Sequence, residues 1–205
     1  MDEATLQKAR KHLARRDAVL RAIIRQVGPC TLRHNPDHFA TLVRSIIAQQ
    51  ISTKAAQAIA GRLLEQVGRF QPRRILAASD DDLRAAGLSR GKQASLRDLA
   101  EKCAAGDIPL KKLDALDDAE VVEALTTVRG IGPWTADMFL IFSLGRLDVL
   151  PVGDYGLRAG VQKHYALADL PRKDDLSDLA TAWKPFRSIG TWYIWRSLGG
   201  VPQSD

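Results

Sequence analysis

Apolar residues recur every three or four positions through almost the whole chain, and no stretch alternates apolar with polar residues long enough to make one face of a sheet. Leu6, Ala9, Leu13, Leu20, Ile23 and Ile24 fall at helical spacing in a first segment, which Gly28-Pro29 ends. Phe39, Leu42, Val43, Ile46 and Ile47 mark a second, strongly apolar helix that stops around Gln49-Gln50. Ser52 has the chemistry of a cap for a third, which carries Ala55, Ala56, Ile59, Leu63 and Leu64. Pro72 and Asp80 open two short helices, Gly87 closes the latter, and 89–105 gives another. Asp117 and Glu120 have capping-box spacing ahead of Val121, Val122 and Leu125. The only run with strand character, Leu147 to Val152, is interrupted by Pro151. The pattern predicts an all-α protein.

Hydrophobic residues are 45% of the 205, enough for the core of one compact domain or of two small lobes. Lys and Arg number 30 against 24 Asp and Glu, a formal charge of +6 that favours polyanionic partners, since each cation placed on a phosphate releases counterions. Ribosomal and membrane-surface proteins share that balance, so charge alone does not choose among them. The two cysteines, Cys30 and Cys103, are too few for a disulfide framework or a four-cysteine cluster and are expected to be buried free thiols. His12, His34, His38 and His164 lack metal-ligand spacing, so no transition-metal site is expected. The charged, amphipathic start has no signal-peptide core, and no apolar run is long enough for a bilayer. An intracellular protein without a membrane partner is expected.

The most specific string is Leu125-Thr-Thr-Val-Arg-Gly-Ile-Gly-Pro-Trp-Thr-Ala-Asp-Met-Phe139. A helix should end near Thr127, glycines stand at 130 and 132, and Pro133 suits the first turn of a new helix. Glycines permit positive φ and leave nothing between backbone N–H groups and an incoming anion, while the helix dipole adds attraction for a phosphate. Val128 and Ile131 would seal the turn against the core. An ordinary αα-hairpin with a glycine turn has the same G-x-G spacing.

The full string V-R-G-I-G-P-W-T-A resembles the helix-hairpin-helix of the HhH-GPD DNA glycosylase superfamily, and within it the AlkA/Mag branch of 3-methyladenine DNA glycosylases. The resemblance runs from about Phe39 to Leu198. It implies two helical lobes: residues 1–35 with 145–205, and residues 36–144 carrying the helix-hairpin-helix at about 120–142. Residues 1–35 are too short and too helical for the N-terminal β domain of some AlkA-type enzymes, so no such domain is expected. The hairpin residues Gly130, Ile131, Gly132 and Thr135 would bind a DNA phosphate. The family's alkali cation, Na+ or K+, would sit on the carbonyls of Thr126, Val128 and Ile131; no other cofactor is implied.

The superfamily has an Asp some twenty residues beyond the hairpin, and here Leu150-Pro-Val-Gly-Asp154 supplies one just before a predicted helix over 155–164. A carboxylate there would stabilise the cationic sugar that forms as an N-glycosidic bond breaks; the plain alternative is a helix cap. Bifunctional relatives place a Schiff-base lysine two positions after the second hairpin glycine, where this chain has Trp134, so lyase activity is not expected. By motif position Trp134 and Trp195, then Phe39 and Trp192, would wall the pocket for a flipped base, held by stacking and cation–π attraction. Phe186 and Tyr193 fit core packing. Gln50, in Ala48-Gln-Gln-Ile-Ser52, would be the wedge that fills the hole left in the base stack, or else an exposed helix end. The expected function is monofunctional excision of alkylated bases (3-methyladenine, 7-methylguanine) from double-stranded DNA, by a monomer in the cytoplasm at the nucleoid. A glycosylase for hypoxanthine, uracil, ethenoadenine or an oxidised purine, and a non-catalytic DNA-binding module, are the alternatives.

Overall fold

The computed structural model describes residues 1–201, of Thr53 the backbone alone. Among them are twelve α-helices, two short 3-10 segments and no strand. The 147–152 run is irregular loop, as a proline inside it requires. The chain divides into two compact units, residues 1–34 with 140–205, and residues 35–139.

The first unit contains α1 (Glu3–Arg16), α2 (Ala18–Val27), the last turn of α9 (Pro133–Phe142), α10 (Tyr155–His164), α11 (Lys173–Leu179) and α12 (Arg187–Ser197). The single helix expected before Gly28 is broken at Asp17. Asp17 Oδ1 accepts the amides of Val19 and Leu20 as cap of α2, while Oδ2 accepts the Tyr165 hydroxyl and Trp183 Nε1. Apolar spacing continues across this break, so only the cap reveals it. Leu13, Leu20, Leu157, Val161, Trp183, Ile189, Tyr193 and Ile194 are fully buried. Gly160 lets α10 lie directly on α12, for a Cβ there would collide with Ile194.

The second unit holds α3 (His38–Ala48), α4 (Thr53–Val67), α5 (Pro72–Ala77), α6 (Asp80–Ala85), α7 (Arg90–Ala105), α8 (Asp118–Thr126) and the start of α9. Ser52, Ser89 and Asp117 cap α4, α7 and α8, and Asp117 completes a capping box with Glu120. Leu42, Val43, Ile46, Ile47, Leu63, Leu96, Leu99, Val121, Leu125 and Phe139 form the core. The division falls at 139/140 rather than 144/145, so the end of α9 lies in the first unit, where Phe142 stacks on Trp195 with centroids 6.0 Å apart. Among the described residues no helix is long and apolar enough to cross a membrane.

Candidate active site

In the second unit, α8 ends at Thr127 and α9 begins at Pro133. Between them the Val128 amide donates to the Leu125 carbonyl and the Ile131 amide to the Val128 carbonyl, 3.1 and 3.0 Å, closing the turn. Val128 and Ile131 are buried beneath it. The two glycines differ. Gly130 sits at φ +78°, and a Cβ there would lie 2.7 Å from Ser95 Oγ. Gly132 has no such need; its Cβ would point into open space, so nothing among the described residues demands glycine. An anion approaching the first turn of α9 would benefit from that gap. Thr135 is buried, so what it offers such an anion is its first-turn amide.

One side chain from α7, Asp98, and one from the end of α3, Gln49, bond this turn directly. Asp98 Oδ2 accepts the Arg129 amide at 2.7 Å while both its oxygens accept Lys102 Nζ, at 2.6 and 2.8 Å. Burial opposes ionisation of Asp98, but the Lys102 ammonium and the Arg129 amide prevail and hold its carboxyl below the ordinary carboxylate range. Lys92 Nζ donates to the Ile47 carbonyl at 2.6 Å, and partial burial lowers its ammonium below the usual value. Gln49 Nε2 donates to the Gly130 carbonyl at 2.8 Å. The next residue, Gln50, is exposed at φ +60°, a backbone conformation that costs a side-chain-bearing residue about 1–2 kcal/mol. The carbonyls of Thr126, Val128 and Ile131 are neutral hard oxygens, the donor type an alkali ion takes, and the Val128 oxygen keeps a lone pair beyond the Ile131 bond. The donor set fits such an ion.

Trp134, second residue of α9, is 39% exposed, whereas Phe39 is buried in the second unit's core. Asp137, one turn further along α9, is half-buried, and burial followed by the charge of Asp118 pushes its carboxyl up to about 6.

In the first unit, Asp154 caps α10 and is 7% exposed. Its Oδ1 accepts the Leu157 amide at 2.6 Å and Trp195 Nε1 at 2.8 Å. Cap and candidate catalytic acid are thus the same side chain. Sequence reasoning joined Asp154 and Trp195 only through motif position; the bond spans 41 positions. Trp195 is 2% exposed and stacks on Phe142, while Trp192 is buried edge-on to Tyr193, whose hydroxyl donates to the Gly28 carbonyl. Phe186 and Tyr193 are core residues.

Sequence reasoning missed the supports of the Asp154 loop. Arg187 Nε and an Nη donate to the two Asp148 oxygens, both at 2.9 Å, and Ser188 Oγ donates to the Arg146 carbonyl while accepting the Val149 amide. The start of α12 thereby fixes residues 146–149. It also missed Tyr155, 72% exposed beside Asp154, although a bulky aromatic following the acid was a visible signal. Both cysteines are half-buried rather than fully buried, and burial pushes their thiols up to about 12, which disfavours the thiolate.

A profile of the HhH-GPD superfamily of base excision DNA repair proteins matches residues 43–185. DNA-3-methyladenine glycosylase 1 of Schizosaccharomyces pombe is 34% identical over 94% of this chain and 88% of its own. The crystal structure of a DNA-3-methyladenine glycosidase from Bacillus halodurans superposes with a TM-score of 0.83 at 38% identity, covering 92% of this chain and 88% of that one. The 3-methyladenine DNA glycosylase of S. pombe, solved in complex with abasic DNA, superposes with a TM-score of 0.83 at 32% identity, covering 97% and 100%.

Proposed function

The chain belongs to the HhH-GPD superfamily of base excision DNA repair proteins, and we propose that it is a monofunctional DNA glycosylase that excises alkylated bases. It acts as a monomer on double-stranded DNA, hydrolysing the N-glycosidic bond of a flipped base to leave an abasic site. The observation that carries this reading is Asp154, a carboxylate fixed on one oxygen by an amide and an indole N–H.

As the C1′–N bond breaks, the base leaves with the bonding electrons and positive charge grows on the deoxyribose. The Asp154 carboxylate faces that charge from an orientation already set, so little reorganisation is needed as charge develops. The same group orients the water that adds to C1′ and takes up its proton. An alkylated purine is already cationic, which makes it a good leaving group and removes the need for a separate general acid. Trp134 has no nucleophilic atom to form a Schiff base, so the strand stays uncut.

The turn at Gly130, Ile131, Gly132 and Thr135 holds a backbone phosphate without reading sequence. An alkali ion on the carbonyls of Thr126, Val128 and Ile131 would add positive charge beside that phosphate. Gln50, exposed in a strained backbone conformation, is the wedge that fills the vacated stack. Trp134, the exposed one of the four expected pocket aromatics, offers its ring to the flipped base; Phe39, Trp192 and Trp195 are buried and serve as packing within their own units.

A panel of duplexes, each with one lesion (3-methyladenine, 7-methylguanine, hypoxanthine, ethenoadenine, uracil or 8-oxoguanine), tests the assignment. Release of the cationic alkylpurines, with no borohydride-trapped adduct, is expected. Release confined to a neutral base, or a trapped adduct, would refute it.

A further inference from the structure

Two features with separate tasks, the Gln50 turn and the 128–132 turn, are fastened to each other by a side chain that neither task uses. Gln49 closes α3 and directs its amide away from the helix, donating to the Gly130 carbonyl across 81 positions at 2.8 Å. Gly130 is the hairpin residue with positive φ, +78°, where an added Cβ would lie 2.7 Å from Ser95 Oγ. Gln50, the very next residue after Gln49, takes the left-handed conformation. Such a conformation persists only where the surroundings over-determine it. The surroundings here are α7: Lys92 bonds the Ile47 carbonyl on the Gln50 side, and Asp98 bonds the Arg129 amide on the hairpin side. One helix thus braces both turns, and Gln49 ties them directly.

We propose that Gln49 is a positioning residue which locks the Gln50 wedge to the phosphate-binding turn, so that gripping the backbone sets where the wedge enters the base stack. The inference rests on the assignment of Gln50 as the wedge. A hydrogen bond between neutral groups is modest, but its loss frees a turn held in a strained conformation. The loss falls on extrusion of the base and not on the chemical step. Extrusion is hardest from a well-paired duplex and easier from a mismatch, so pairing strength exposes the effect.

The test is single-turnover release of 7-methylguanine placed opposite cytosine or opposite thymine, with wild type, Gln49→Ala, Gln49→Lys, Gln50→Ala and the double variant Gln49→Ala/Gln50→Ala. Gln49→Ala should slow release opposite cytosine by about 2- to 10-fold, with a much smaller loss opposite thymine. Gln49→Lys, which keeps a donor of sufficient reach, should restore most of the rate. Removing Gln49 in the Gln50→Ala background should add almost nothing, because Gln49 works through Gln50. Equal loss on both duplexes, full additivity, or an unchanged rate in Gln49→Ala would overturn the proposal. If Gln50→Ala itself shows no dependence on pairing, the wedge assignment fails, and the inference with it. Failure of wild type to release 7-methylguanine would instead refute the alkylpurine reading on which both stand.

Discussion

The two hairpin glycines separate what a fold needs from what a ligand needs. Gly130 answers to the chain: positive φ and Ser95 at 2.7 Å from a Cβ both forbid a side chain. Gly132 answers to neither, and its open surroundings make sense if a phosphate approaches its amide. Gly130→Ala should therefore destabilise the protein by about 1–3 kcal/mol in thermal or urea unfolding. Gly132→Ala should stay within about 1 kcal/mol of wild type while weakening DNA binding about tenfold or more, read by titration of a fluorescent duplex. A stable Gly132→Ala protein with undiminished affinity would remove the phosphate from that turn. Residue-scale sequence reading went far here because glycine, proline and cap chemistry are local. It could not separate the two glycines, since what distinguishes them is Ser95, a neighbour 35 positions away in the chain.

At the scale of elements, caps decided most boundaries. Ser52, Ser89, Asp117 and Asp154 each stand before a helix and accept its first-turn amide; three of them are legible as caps in the sequence, where Ser89 reads as the first residue of its helix. Asp17 belongs to the same class yet is easily overlooked, because Leu13 and Leu20 keep the helical spacing across it. Side-to-side support was not legible. Gln49, Lys92, Asp98 and Arg187 act through bonds to distant backbone or side-chain atoms, which no periodicity encodes. The α9 helix supplies a pH test. Asp137 has a folded-state value of about 6 against an ordinary 3.8, so the folded protein binds this proton more tightly than the unfolded chain does. Its ionisation therefore costs stability, with no cost below 3.8, a rising cost between 3.8 and 6, and the full cost above 6. Asp137→Asn should match wild type at the acid end of that window and melt at a higher temperature above pH 6. A difference in melting that does not change with pH would contradict this.

At the scale of the whole molecule, the all-α fold was foreseeable from periodicity and its two units from the family resemblance, while the exact division was not. The end of α9 belongs with the later helices, where Phe142 meets Trp195, a contact between rings 53 positions apart in the chain. The 128–132 turn, proposed to hold a phosphate, belongs to one unit and the fixed carboxylate of Asp154 to the other, with +6 net charge on the chain as a whole. In the proposed reaction the Asp154 charge, and not its role as a cap, drives base release. Asp154→Asn separates these, because asparagine caps helices as well as aspartate does and can still accept from Leu157 and Trp195. The decisive measurement is single-turnover base release by Asp154→Asn beside its affinity for abasic-site DNA. Release should fall about a hundredfold or more with affinity nearly unchanged; release at the wild-type rate would contradict the account.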